Sequence, residues 1–244
     1  MMPHNPLVLC IAGALALSAA GPLASEWRVT KTGQEFNSQS QILFVDDQTG
    51  WILSDKQILK ITDGGTTWVV LSQNLPDSYK VVKLCFADRL HGWAAGKFNR
   101  QAAIWETSDG GTSWKLQYSV PHTHPQAMTP GVMMDIRFAD QSHGWAVGGN
   151  QADAIIVATT DGGQHWTPQY SGSEITTQFN LVRVWDSLHV WVMGDDAVMQ
   201  TDTGGGSWML QYFGDGLLND MTWQAHPRFG SQPHQVLSFI TPTG

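Results

Sequence analysis

Three aspartates occupy the same place in a repeated eight-residue phrase. They are Asp63 in Ile61-Thr-Asp-Gly-Gly-Thr-Thr-Trp68, Asp109 in Thr107-Ser-Asp-Gly-Gly-Thr-Ser-Trp114 and Asp161 in Thr159-Thr-Asp-Gly-Gly-Gln-His-Trp166. A carboxylate beside two glycines could ligate calcium or act as an acid or base. It could equally accept hydrogen bonds from the N–H groups of its own turn, with glycine supplying the positive φ values. This self-contained clip is the stronger reading, with the following Trp pinning the turn onto a sheet. The structural set is then Asp63, Gly65 and Trp68, Asp109, Gly111 and Trp114, and Asp161, Gly163 and Trp166, joined by Gly205 and Trp208 of a degraded fourth copy, Thr201-Asp-Thr-Gly-Gly-Gly-Ser-Trp208. Asp202 stands one position early there and Thr203 fills the carboxylate slot, so that clip is expected to be the weakest.

Histidine offers a second chemistry. His91, His143 and His189 share one repeat position. Imidazole suits zinc or copper, but ligands must converge to about 2.1 Å from the ion. Neighbouring repeats splay apart, so these histidines read as turn residues. His122 and His124 lie with Met128 in a long insertion from Ser119 to Val132 that also holds three prolines. Two histidines alone do not complete a metal site. The insertion is nonetheless the candidate binding loop, because loops on rigid scaffolds carry most binding. Glycoside hydrolysis needs two carboxylates roughly 5–10 Å apart, or a Tyr nucleophile paired with Glu. The chain has four Tyr and four Glu, and Tyr118, Tyr170 and Tyr212 recur in one structural slot behind the clip Trp. No acid pair stands out by spacing, so neither a catalytic residue nor a cofactor is assigned.

The elements that must position these residues are legible from a second phrase upstream of each clip. It reads Phe44-Val-Asp-Asp-Gln-Thr-Gly-Trp51, Phe86-Ala-Asp-Arg-Leu-His-Gly-Trp93, Phe138-Ala-Asp-Gln-Ser-His-Gly-Trp145 and Val184-Trp-Asp-Ser-Leu-His-Val-Trp191. Each joins two apolar runs through a polar turn, a hairpin signal. One unit parses into four strands, at 41–45, 50–54, 57–62 and 67–72, with the clip between the third and fourth. The clip tryptophans are 46, 52 and 42 residues apart, a period belonging to propellers and similar arrays. Four antiparallel strands per repeat describe a propeller blade. The fold class is therefore all-β, a β-propeller of four-stranded Asp-box blades with about five blade equivalents. The repeats lie near 40–78, 81–122, 133–175 and 180–213. An atypical blade at 217–244 is joined by a strand at 26–31. Eight of the 12 tryptophans occupy the closing positions of the two phrases, so most of the aromatic content is architecture.

The net charge of −8 arises entirely beyond residue 115: residues 116–244 carry three Arg, no Lys, ten Asp and one Glu. A nucleic-acid partner would need a basic stripe to replace phosphate counterions, so that class is excluded. At the other end, Leu7 to Ala20 is an uncharged apolar run of 14 residues, too short to span a bilayer comfortably and of signal-peptide length. Residues 1–24 read as a signal peptide and 25–244 as the propeller domain, with export to a periplasm, a thylakoid lumen or the medium. An uncleaved membrane anchor is the alternative. Cys10 follows Leu9, which makes a poor lipidation site, and Cys85 reads as a small apolar strand residue.

The paired phrases, Phe-x-Asp-x-x-His-Gly-Trp-Ala-x-Gly and Thr-x-Asp-Gly-Gly-x-x-Trp, behind an export signal, resemble the photosystem II assembly and stability factor family over residues 26–220. The resemblance implies a seven-bladed propeller without catalysis. In photosynthetic members it implies a partner that is the precursor of a reaction-centre subunit, so that any membrane contact is peripheral. Two readings of the blade count stay open, a closed five-bladed ring and a truncated seven-bladed one. The family's arginine-rich client surface is not carried over, because Arg28, Arg89, Arg100, Arg137, Arg183 and Arg228 form no cluster in sequence. The function implied is a non-catalytic exported scaffold for protein–protein interaction. The Asp boxes alone are also similar to those of sialidases, which leaves an extracellular glycan-binding or glycan-hydrolysing protein as the alternative.

Overall fold

The computed structural model describes residues 40–54, 57–71, 79–119, 131–149, 153–172, 178–214, 220–225 and 235–240, the last two segments by backbone. Residues 1–24, the strand expected at 26–31, and His122, His124 and Met128 lie outside these segments. The described residues form strands and turns only. Blade 1 comprises β1 (Gln41–Phe44), β2 (Gly50–Ser54), β3 (Gln57–Ile61) and β4 (Trp68–Val70). Blade 2 comprises β5 (Tyr79–Phe86), β6 (Gly92–Phe98), β7 (Gln101–Thr107) and β8 (Lys115–Ser119). Blade 3 comprises β9 (Val132–Phe138), β10 (Gly144–Gly149), β11 (Ala154–Thr159) and β12 (Thr167–Gly172), and blade 4 comprises β13 (Phe179–Val184), β14 (Val190–Gly194), β15 (Ala197–Thr201) and β16 (Met209–Phe213). A two-stranded hairpin, β17 (Asp220–Ala225) with β18 (Gln235–Ile240), follows. Each blade is an antiparallel meander in chain order, with the clip joining its third and fourth strands.

The core lies between blades. One apolar cluster gathers Leu43, Trp51 and Ile58 of blade 1 with Leu84, Phe86 and Trp105 of blade 2. A second joins blades 2 and 3 through Trp93, Ile104, Met133 and Phe138, and a third joins blades 3 and 4 through Trp145, Ile156, Phe179 and Val192. Cys85 is buried in the second cluster, and it is disulfide-bonded rather than the plain apolar residue expected. Sheet faces with apolar side chains on both sides of the pleat must stack on neighbours, which is why the repeats cannot stand singly.

The two phrases meet across these junctions. Trp51 stacks on Phe86 of the next blade at 3.6 Å between ring centroids, and Trp93 stacks on Phe138 at 3.7 Å. Phe86 and Phe138 then meet the clip tryptophans of their own blades, Trp114 and Trp166, edge-on at 6.0 Å. Each phrase phenylalanine also lies flat over the glycine that precedes the phrase tryptophan. A Cβ on Gly92 would come within 2.4 Å of the Phe86 ring, and one on Gly144 within 2.6 Å of the Phe138 ring. The Gly-Trp pair is therefore a packing requirement: glycine clears space for the ring, and Trp covers the next blade's ring. In blade 4 Val184 replaces the phenylalanine, and among the described residues Trp145 has no ring stacked on it as Trp51 and Trp93 have.

Candidate functional site

The clips are built from their own atoms. Asp109 Oδ1 accepts from Ser113 N at 2.9 Å and from Thr107 Oγ1 at 2.8 Å, and Oδ2 accepts from Ser113 Oγ at 2.6 Å. Asp161 repeats the pattern with His165 N at 2.9 Å and Thr159 Oγ1 at 2.8 Å, and Asp63 accepts from Thr67 N at 2.9 Å. Gly110 and Gly111 have φ of 73° and 93°, and the other three clips share this geometry, which side-chain-bearing residues rarely adopt. Hydrogen bonds from Ser113 hold the Asp109 carboxyl down to about 2, and those from His165 do the same for Asp161. Asp63 is lowered by its bonds from Thr67. These carboxylates are ionised and fully engaged near neutral pH, so they cannot donate a proton to a leaving group. In the fourth clip Thr203 Oγ1 accepts from Ser207 N at 3.1 Å, and Thr201 Oγ1 accepts from Gly205 N at 2.9 Å. The turn survives on neutral acceptors.

The histidines of the second phrase sit in the turn between the first and second strands of their blades. Nδ1 of His91, His143 and His189 lies 2.8, 2.9 and 2.9 Å from Asp88, Asp140 and Asp186 respectively. The same carboxylates accept the turn's N–H groups, Asp88 from Leu90 N and His91 N at 2.7 and 2.8 Å. Burial acts to raise these three carboxyls, and the backbone and imidazole hydrogen bonds outweigh it and lower them. Each histidine is thus occupied within its own turn. Among the described residues no group of three or more His, Cys, Asp or Glu is placed to hold a metal.

Two polar contacts between inner strands escaped the sequence reading. Gln41 of β1 spans to β5, donating through Nε2 to Leu84 O at 2.9 Å and accepting from Leu84 N at 2.8 Å. Asp135 stands at the matching position of β9, only 1% exposed, and accepts from Val182 N of β13 at 3.1 Å. Arg137 Nε and Arg183 Nη1 each lie 3.7 Å from this carboxylate, with their side chains 11% and 24% exposed. The fold therefore brings together two arginines that are 46 residues apart in the chain, over one buried acid. The signal was present: Gln41 and Asp135 each stand three residues before the phrase phenylalanine, and a polar residue there interrupts an apolar strand. Nothing in the sequence said that its partner was the next blade's backbone. Elsewhere, Glu106 accepts from Gln117 of the neighbouring strand.

Stacked four-stranded blades clipped by Asp boxes define a β-propeller. The fold is shared with a GH74 xyloglucanase from Xanthomonas campestris, at a TM-score of 0.54 and 12% identity over 79% of this chain and 31% of that one. The model of the photosynthesis system II assembly factor YCF48 family matches residues 117–220, from β8 into β17. The photosystem II assembly lipoprotein Ycf48 of Synechococcus sp. (strain CC9902) is 30% identical over 83 residues, which is 34% of this chain and 24% of that protein. A structure of YCF48 bound to a D1 peptide has 24% identity and a TM-score of 0.48 over 61% of this chain and 45% of that one. The chain thus resembles the photosystem II assembly factor family, and the matched region carries Asp135, Arg137 and Arg183. It spans less than half the length of these two relatives. No helix among the described residues is long and apolar enough to cross a membrane.

Proposed function

We propose that this chain is a non-catalytic, exported propeller scaffold that holds a subunit of a membrane-protein complex during assembly, in a photosynthetic host the precursor of a photosystem II reaction-centre subunit. The observation that carries this is the family match over residues 117–220, which runs through the blades whose inner strands meet at Asp135. The site chemistry supports the non-catalytic part. A glycosidase needs a carboxyl whose pKa is raised so that it can protonate a leaving group. Asp46, Asp63, Asp88, Asp109, Asp140, Asp161 and Asp186 are all shifted the other way by hydrogen bonds. Arg137 and Arg183 close on Asp135 rather than standing out as a patch, which leaves the segment 119–132 as the client-binding loop of this reading.

Affinity purification of the tagged full chain from solubilised native membranes, with mass spectrometry of what co-purifies, tests the proposal. Enrichment of a membrane-complex subunit or its precursor is expected, with loss of that enrichment after deletion of residues 119–132 in a chain whose circular dichroism is unchanged. Recovery of no protein partner overturns it. The glycan-binding or glycan-hydrolysing alternative then becomes the reading to assay.

A further inference from the structure

The outermost strands of the last three blades have the same register and the same bulge, at Gln117, Gln169 and Gln211, and differ in how their free edges are protected. Each is the terminal strand of its sheet, which presents unpaired backbone groups to any strand that approaches. In β8 the first strand residue is Lys115, a charge that opposes pairing. In β12 the second is Pro168, which has no N–H to donate. β16 has Met209 and Leu210 at these two positions, 44% and 53% exposed, followed by Tyr212 at 36%. Residues 203–214 contain no charged side chain at all, in a protein of net charge −8. Among the described residues the side-chain amide of Gln211 has no hydrogen-bond partner, whereas that of its counterpart Gln169 donates to Gly204 O at 2.8 Å.

We infer that β16 is a self-association edge, pairing antiparallel with β16 of a second copy of this chain to join two blades into one eight-stranded sheet. Charge selects this occupant. Two molecules of net charge −8 repel over most of their surfaces, and this edge, longer than the three-residue uncharged edge of β4, is one where identical strands meet without like-charge opposition. A two-fold axis near Gln211 sets Leu210 against the partner's Tyr212, and Tyr212 against the partner's Leu210. Apolar residues thereby face apolar residues, and the terminal strand of each sheet acquires a neighbouring strand. The inference does not rest on the proposed client.

Sedimentation velocity on the purified full chain, from about 1 to 100 μM, tests it. The expected result is a reversible monomer–dimer equilibrium that Met209→Lys shifts at least tenfold toward monomer and Leu210→Pro abolishes. Far-UV circular dichroism should remain that of the parent. If Leu210→Pro does not fold, Met209→Lys decides alone. Leu116→Lys, which removes an exposed apolar side chain from the edge of β8, is expected to leave the dimer intact. A monomer at every concentration overturns the inference and leaves the edge to a strand of a different protein. So does a dimer that survives Met209→Lys, or one that Leu116→Lys disrupts equally.

Discussion

The indole N–H of Trp93 donates to the carbonyl oxygen of Gly162 at 3.0 Å, and these two residues belong to different blades. Trp51 makes the same bond to Gly110 at 2.9 Å. At the third junction the link acquires an intermediate, because Trp145 Nε1 donates to Gln169 Oε1 at 3.2 Å and Gln169 Nε2 donates to Gly204 O at 2.8 Å. The first phrase of one blade is thus tied to the clip of the next. The bulge that frees Gln169 from strand pairing aims its amide at that clip. The two repeated phrases are the halves of one inter-blade joint.

Replacing Trp93 by Phe keeps the ring near Phe138 and removes the N–H. The Gly162 carbonyl then loses its donor, and stability should fall by about 1–2 kcal/mol. Trp93→Ala also removes the stack and leaves a void, for about 3–5 kcal/mol. Urea unfolding of the two variants measures both, and a Trp93→Phe variant as stable as the parent would show that the hydrogen bond contributes nothing.

Gly92→Ala should destabilise by about 1–3 kcal/mol through overpacking, since the new Cβ lies within 2.4 Å of the Phe86 ring. Phe86→Leu in the same chain should recover part of that loss. Thermal denaturation of the double variant and both singles closes the cycle, and strict additivity would remove the steric explanation.

Acid should weaken the clips in a defined window. The folded pKa values of Asp109 and Asp161 are depressed to about 2, below an unfolded value of about 3.9. Their contribution is therefore complete above the unfolded value and is lost as pH falls from about 4 towards 2. Asp109→Asn should flatten the stability profile across that range. Thr203→Asp, which restores the carboxylate to the fourth clip beside Ser207, should raise stability by about 0.5–1 kcal/mol at pH 7 and add nothing at pH 2. Melting temperatures at the two pH values test both variants.

Asp135 is expected to be the most sensitive polar position in the inner strands. Asp135→Ala leaves Val182 N without its acceptor and removes the buried carboxylate lying between two guanidinium groups, a change worth about 3–5 kcal/mol. Gln41→Leu, which breaks the uncharged version of the contact, should cost about 1–3 kcal/mol. Chemical denaturation ranks them, and a smaller loss at Asp135 than at Gln41 would reverse the assignment.

The sequence by itself determined the blade. Strand positions, the clip between third and fourth strands, and the carboxylate turns of Asp63, Asp109 and Asp161 all follow from contacts between residues a few positions apart. Local chemistry of that kind is written into the phrase that performs it. The turn role of His91, His143 and His189 was legible for the same reason, because each finds its carboxylate three residues away. Tertiary structure alone decided what the phrases do to one another. That Trp51 serves Gly110, that Gln41 grips Leu84, and that Arg137 and Arg183 share Asp135 depend on the stacking of one sheet on the next. Their sequence separations of 43 to 59 residues, with Arg137 and Arg183 46 apart, follow the blade period. A periodic sequence announces that such a joint recurs, while its partners depend on the angle and register at which twisted sheets pack, which no single phrase encodes.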